Sequence, residues 1–216
     1  MEKPILALDC SLRLTNVAVF SSGDVLVSES LDIGRSQAAE LPLIVKNALS
    51  DAGCSFDRLG LVAVTNGPGY FTGIRVGASY AAALAYGLGV RVAPVSTLRM
   101  LAGLHSDHDM PVLVAVYAGR DRVYAASFGC EFENGLPEGE YKKDEIERWL
   151  LAHDGIKIVS DDPEKAFLPS LGRKVAPVRP DASEVARIAW RHPDIAVHPM
   201  ELRVSYHRSP VPGIPS

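Results

Sequence analysis

A glycine-rich stretch at residues 66–77, reading NGPGYFTGIRVG, is the part of this chain best suited to holding a charged ligand. Gly67 and Gly69 allow backbone conformations with positive φ, and Pro68 fixes the turn between them. Bare glycine backbone ahead of a helix N-terminus can bind a phosphate or a carboxylate through its N–H groups. The chemistry that this stretch could perform is therefore anion binding.

The flanks of the glycine stretch predict a strand, a loop and a helix. An apolar run at 61–65 is typical of a buried strand, and an Ala- and Leu-rich run at 78–86 is typical of a helix, with Thr72 as its predicted N-cap. No Lys-Ser or Lys-Thr follows the glycines, and their spacing differs from that of the dinucleotide fingerprint. The favoured interpretation is a tight strand-to-helix turn that needs its glycines for geometry, with anion binding as the alternative.

An acidic residue follows the first predicted strand, in the sequence Asp9-Cys10-Ser11. The Asp9 carboxylate could coordinate a magnesium-bound water, or it could accept hydrogen bonds from local backbone amides. The turn after Asp9 contains side chains and no glycine, which leaves less room for a phosphate. The candidates for a residual nucleotide site are Asp9, Ser11, Gly67 and Gly69.

The histidines and cysteines do not have the spacing of a metal centre. Cys10, Cys54 and Cys130 lie far apart and form no CxxC pair, which argues against a zinc finger or a disulfide scaffold. The close pair of His105 and His108 lies in a polar connector, where solvated histidines are favoured over a metal site. A Ser-His-Asp triad built from distant residues stays open, although the nucleophile elbow motif is absent. We predict no catalytic residue, no metal and no cofactor.

The elements that position these residues follow a recognisable order. The first half has predicted strands at 5–9, 16–20, 25–31, 61–65 and 91–95, and predicted helices at 38–52, 78–86 and 96–104. This order is βββαβαβα. After a connector at 105–111, the second half has predicted strands at 112–117, 122–128 and 156–160, and helices at 143–153, from Asp162-Pro163, and at 183–192. A Pro-rich tail begins at Ser209.

A strand meander followed by alternating helices and strands, and then by a second mixed half, indicates two α/β domains. The actin/hexokinase/Hsp70-like (ASKHA) two-domain fold is built in this way, with ATP phosphates bound at the first hairpin and in the cleft between the domains. We predict this fold, with an N-terminal domain at 1–106 and a smaller C-terminal domain at 107–216.

Composition limits the classes of function. The 216 residues are 47% hydrophobic and 22% charged, which is typical of a packed globular protein, and the net charge is −4. A protein that binds nucleic acid unaided usually carries a basic patch. If RNA is a substrate here, a partner protein is needed to supply most of the contacts with it. We expect a cytoplasmic protein, since no signal-peptide core and no membrane-length apolar run is present.

Small residues recur along the predicted helix after the glycine loop. Gly73, Gly77 and Ala81 lie four residues apart and form one ridge, with Tyr80 and Leu84 beside it. A ridge of small side chains lets another helix approach closely. These five residues are the predicted partner interface. The alternative is close packing on the chain's own sheet.

Residues 67–77 resemble the GPGSFTGLRIG signature of the TsaB (YeaZ) family. The run ILALDCS at 5–11 is similar to that family's ILAIDTS, and VSTL at 95–98 looks like its V-S-S-L. The resemblance covers roughly the first half of the chain. The sequence departs from the family pattern at Ser36, Tyr70, Tyr117 and Gly119.

The resemblance implies a non-catalytic subunit in the synthesis of threonylcarbamoyladenosine on tRNA. Family members look like inactive paralogues of the transferase TsaD, whose metal-binding HxxxH pair has no counterpart here. They pair with TsaD through their N-terminal domains, recruit the ATPase TsaE, contact tRNA through the complex, and form homodimers when alone. Two alternatives are an actin-like ATPase or kinase that uses Asp9 and the glycine loop, and a glycoprotease-type peptidase.

Overall fold

The computed structural model describes residues 3–105, 110–129, 135–167 and 172–206. Three features singled out in the sequence lie outside these ranges: most of the connector with His108, the cysteine at 130, and the Pro-rich tail. The structure described below is that of the remaining chain.

A mixed five-stranded sheet forms the first half of the described chain. Its strands are β1 (Ile5–Asp9), β2 (Thr15–Ser21), β3 (Asp24–Leu31), β4 (Leu61–Thr65) and β5 (Arg91–Val95). They lie in the order β3-β2-β1-β4-β5, with β1 antiparallel to β2 and parallel to β4. The apolar runs of β1, β2 and β4 are buried on both faces, as central strands covered on two sides require.

Three helices complete the first half, and they confirm the predicted order βββαβαβα. They are α1 (Gln37–Asp51), α2 (Phe71–Leu88) and α3 (Thr97–Gly103). Helices α1 and α2 cover one face of the sheet, where Leu41 and Val45 pack with Leu6 and Leu8. The Ser96 hydroxyl accepts a hydrogen bond from Arg99 N at 3.3 Å, which confirms the predicted start of α3.

The second sheet repeats the topology of the first. Its strands are β6 (Val112–Gly119), β7 (Arg122–Phe128), β8 (Gly139–Lys142), β9 (Lys157–Ser160) and β10 (Ala176–Pro177). Strand β6 is antiparallel to β7 and parallel to β9, so the order β8-β7-β6-β9-β10 matches β3-β2-β1-β4-β5 strand for strand. The sequence did not predict β8, which is short and polar, or β10, which has only two residues.

The last three helices are α4 (Lys143–Leu151), α5 (Pro163–Ala166) and α6 (Ala182–Arg191). Helix α4 packs on the outer face of the second sheet through Ile146 and Leu150. Helix α6 returns to the first sheet and, with α3, fills the space between the two sheets. One core therefore joins the sheets, since Ile5 and Phe20 of the first share a cluster with Val114 of the second.

The segment after α6 stays on the first sheet. Val197 forms an antiparallel bridge with Val92 of β5. Further on, Ser205 N donates to Asn66 O at 2.8 Å, and Asn66 Nδ2 donates to Arg203 O at 3.1 Å. The two sheets fall on either side of the predicted boundary at 106/107, but the segment 182–206 covers the first sheet. The division into domains stays a prediction.

Candidate functional site

The carboxylate of Asp9 lies inside the fold, at the end of β1, with no exposed surface. Its Oδ1 accepts hydrogen bonds from Ser11 N at 3.0 Å, Ser11 Oγ at 2.5 Å and Thr65 Oγ1 at 2.7 Å, and its Oδ2 accepts one from Asn16 Nδ2 at 2.9 Å. A carboxylate offers about four acceptor positions. Asp9 therefore joins β1, its turn, β2 and β4, and the bond from Ser11 N is the local amide contact that the sequence offered as the alternative to magnesium chemistry.

The glycine loop packs directly on the turn that follows Asp9. Tyr70 N donates to Ser11 O at 2.7 Å, and a Cβ on Gly69 would overlap the same carbonyl oxygen. A Cβ on Gly67, which has φ +110°, would lie 2.6 Å from Ser205 O. These glycines are needed for close backbone packing. The structure thus brings Asp9, Ser11, Gly67 and Gly69 together, but their contacts give a nucleotide site no support.

The helix after the glycine loop begins earlier than predicted. Helix α2 starts at Phe71, and its N-cap is Tyr70, which has extended backbone angles and no side-chain cap bond. Thr72 is the second residue of the helix, so its prediction as the N-cap is wrong. Local propensity favours a loop at Gly73, next to Thr72, although tertiary contacts hold this glycine in the helix.

The ridge of Gly73, Gly77 and Ala81 faces inward. A Cβ on Gly73 would overlap the carbonyl oxygen of Cys10, and a Cβ on Gly77 would lie 3.3 Å from the Cys10 Cβ. Ala81 is fully buried. The prediction that these three residues line a partner surface is therefore wrong, because the ridge packs on the chain's own sheet. Tyr80 and Leu84 are half-buried and stay predicted contacts.

The opposite side of α2 is exposed and carries little charge. Along the 18 residues of this helix the only charged side chain is Arg75. A groove of about 440 Å³ runs between α1 and α2, and we call it the α1–α2 groove. Its lining residues are Ala38, Leu41, Arg75, Val76, Ser79 and Tyr80. A helix that is apolar nearly all round is usually covered on all sides, which makes this exposed face the best candidate for a contact surface.

A second cavity, of about 340 Å³, lies in the cleft between the two sheets. The turn after β1 lines one side of it, and residues after β9 and β10 line the other, among them Asp161 and Arg179. Burial, with a contribution from Asp162, raises the pKa of Asp161 to about 6. Burial also raises the pKa of Tyr70, and the charge of Asp161 adds to that increase. Tyr70, one of the departures from the family pattern, is thus electrostatically coupled to the second sheet.

Replacing Asp161 with asparagine is expected to stabilise the protein above pH 6. The folded-state pKa near 6 exceeds the ordinary value of 3.8, so the unfolded state ionises first as pH rises from 4 to 6, and folding free energy is lost through that window. The variant avoids a loss of about 3 kcal/mol at pH 7 and of less than about 1 kcal/mol at pH 4. Urea unfolding at pH 4, 5, 6 and 7 measures the difference.

Replacing Asp162 provides a control for which the expected change in stability has the opposite sign. A hydrogen bond from Lys165 lowers the pKa of Asp162. The ionised Asp162 carboxylate therefore stabilises the folded protein at neutral pH, and this stabilisation is lost as pH falls. Asp162→Asn is therefore expected to destabilise the protein at pH 7. A stability difference between wild type and Asp161→Asn that stayed constant from pH 4 to pH 7 would contradict the raised pKa.

No group of three or more histidine, cysteine, aspartate or glutamate side chains in the described part of the chain lies close enough together to hold a metal ion. None of the helices in the described part combines the length and the apolar character needed to span a bilayer.

Comparisons with known proteins place the chain in a family. The family model described as TsaD, tRNA N6-adenosine threonylcarbamoyltransferase, matches residues 32–170. A relative from Buchnera aphidicola, named tRNA threonylcarbamoyladenosine biosynthesis protein TsaB, is 29% identical over 70% of this chain and 68% of its own length. The Escherichia coli protein of the same name is 33% identical over 63% of this chain and 59% of its own length.

Among solved structures, YeaZ from Pseudomonas aeruginosa superposes with a TM-score of 0.76 and covers 94% of this chain and 99% of its own. At 24% identity this likeness shows the fold. Two sheets of matching topology, joined by one core, define an α/β protein of the actin-like class, and the predicted ASKHA-type fold is confirmed. Since the family model matches well over half of the chain and its relatives carry the TsaB name, the chain belongs to the TsaB (YeaZ) family.

Proposed function

We propose that this chain is a non-catalytic subunit of the machinery that makes threonylcarbamoyladenosine on tRNA. It docks on a TsaD-like catalytic subunit and helps to recruit a TsaE-like ATPase. It meets tRNA only through that complex, pairs with itself when alone, and works in the cytoplasm. Family membership and the pathway named for its relatives support this role.

The exposed face of α2 is the observation that carries the docking proposal. Beside the half-buried Tyr80, the exposed side chains of Ser79 and Ala83 present a small, uncharged surface next to the α1–α2 groove. Small side chains on an exposed helix allow a second helix to approach closely, and an apolar groove next to them supplies area to bury. A partner helix therefore fits this face.

The packing around Asp9 supports a non-catalytic role. The Asp9 carboxylate accepts four hydrogen bonds from the chain's own groups, and Ser11 O contacts the backbone of Gly69 and Tyr70. In the ATPase alternative these residues would have to receive magnesium and phosphate. Opening them would leave several buried donors without acceptors, which is costly.

Replacing Ala83 with arginine is expected to weaken binding to the TsaD-like subunit by about 100-fold or more, because it places a long charged side chain on the docking face. The fold should be unaffected, since Ala83 is exposed. The matched control is Ala152→Arg, at an exposed position at the end of α4. Titration calorimetry with the purified TsaD-like subunit measures the dissociation constant.

A reconstituted modification assay tests the role itself. Threonylcarbamoyladenosine should form on tRNA only when this chain is mixed with the TsaD-like subunit, the TsaE-like ATPase and a supply of the carbamoyl-adenylate. Ala83→Arg should fail in that assay and Ala152→Arg should succeed. Modification that proceeds equally without this chain, or normal pairing by Ala83→Arg, would contradict the proposal.

A further inference from the structure

Arg75 is the one charged side chain on α2, and it borders the α1–α2 groove. Its neighbours there are apolar or small: Val76, Leu41 and Ala38. A single arginine within an uncharged contact face can act as a selective recognition point, since its planar guanidinium forms paired hydrogen bonds with a carboxylate.

Two aromatic rings hold Arg75 in one place. Its guanidinium carbon lies 3.7 Å from the centroid of the Phe71 ring and 5.6 Å from that of Tyr206. Its Nε donates to the Tyr206 hydroxyl at 2.7 Å, and the two ring centroids are 5.5 Å apart. A side chain fixed before binding loses less conformational entropy when a partner arrives. Arg75 is therefore pre-organised by a residue 131 positions later in the chain.

The terminal guanidinium nitrogens of Arg75 have N–H groups available to donate hydrogen bonds to a partner. Within the described ranges, neither Nη1 nor Nη2 of Arg75 has a hydrogen-bond acceptor or a salt-bridge partner. Other arginines of the described chain pair with carboxylates: Arg13 with Asp32, Arg122 with Glu140, Arg148 with Asp144, and Arg187 with Glu184. Arg75 thus presents the outer edge of its guanidinium outward, next to the groove.

We propose that Arg75 selects the docking partner by binding a carboxylate on the partner's contacting helix, and that Phe71 and Tyr206 are positioning residues for it. This inference rests on the proposed docking function. A protein carboxylate fits better than an RNA phosphate, because one cation among apolar side chains on a chain of net charge −4 lacks the several contacts that RNA binding requires.

The test compares binding of wild type, Arg75→Gln, Arg75→Lys and Tyr206→Phe to the purified TsaD-like subunit by calorimetry at 50 and 300 mM salt. Arg75→Gln should weaken binding about 30-fold and reduce its salt dependence. Arg75→Lys should weaken it about 10-fold, because lysine cannot form the paired bonds. The matched control is Arg91→Gln, at an exposed position on β5, which should bind as wild type does.

Tyr206→Phe separates positioning from general stability. It should weaken binding about threefold in the wild-type background and have no effect in the Arg75→Gln background, since its role acts through Arg75. Circular dichroism melts should show all variants folded, because Arg75 and Tyr206 are exposed. A Tyr206→Phe effect of equal size in both backgrounds would overturn the positioning role.

The outcomes distinguish this inference from the proposed function. If Ala83→Arg abolishes pairing while Arg75→Gln binds as wild type at both salts, docking stands and the carboxylate inference is wrong. If neither variant affects pairing, the docking proposal itself fails. If Arg75→Gln weakens only the homodimer, or only tRNA binding by the assembled complex, the occupant is a second copy or an RNA, and the inference is overturned.

Discussion

Replacing Gly73 with alanine is expected to lower the free energy of unfolding by about 4 kcal/mol. The new Cβ would overlap the carbonyl oxygen of Cys10, which belongs to the backbone and cannot rotate away. Relief requires α2 to shift away from the turn after β1, and that shift would also break the bond from Tyr70 N to Ser11 O. Urea unfolding followed by circular dichroism measures the change.

The same helix supplies the matched control. Gly87 lies in the last turn of α2, and a Cβ there would meet no atom within 4 Å. Gly87→Ala should therefore stabilise the protein by about 0.5–1 kcal/mol, since alanine is the better helix former. If Gly73→Ala were as stable as Gly87→Ala, the close approach of α2 to Cys10 would be wrong.

Replacing Asp9 with alanine is expected to cost about 4 kcal/mol of stability, because four buried hydrogen-bond donors lose their acceptor. Asp9→Asn should cost about half as much, since the amide keeps one acceptor oxygen. The control is Asp51→Ala at the exposed end of α1, which should stay within about 0.5 kcal/mol of wild type. Chemical unfolding measures all three variants.

The same variants bear on the ATPase alternative. If Asp9 has only a structural role, calorimetry should show no difference in magnesium-ATP binding between the wild-type protein and the Asp9→Asn variant. Tight binding of magnesium-ATP by the wild type, lost in a folded Asp9→Asn variant of unchanged stability, would contradict the structural role and favour an active enzyme.

Local sequence patterns were enough to predict the framework of the first half. The runs at 5–9, 61–65 and 91–95 are apolar and bounded by turn residues, and all three are strands. Strands β8 and β10 escaped prediction because a short strand at the edge of a sheet has neither periodicity nor a continuous apolar run.

Contacts between distant residues explain what the sequence could not show. The pattern in α2 revealed small residues on more than one face, but the carbonyl of Cys10 decides which face turns inward. The pairing of Arg75 with Tyr206 spans 131 positions, and no local signal predicts it. The lone charge of Arg75 in an otherwise uncharged helix was the one available clue.

The return of α6 to the first sheet has a consequence for how the chain folds as it leaves the ribosome. The face of that sheet formed by Ile5, Ala7, Ala18 and Phe20 is covered by a helix that begins only at Ala182. Translation adds about 5–20 residues per second. This apolar face of the nascent N-terminal half would therefore stay exposed to solvent for several seconds or more. Newly made molecules should therefore depend on chaperone protection until translation is nearly finished.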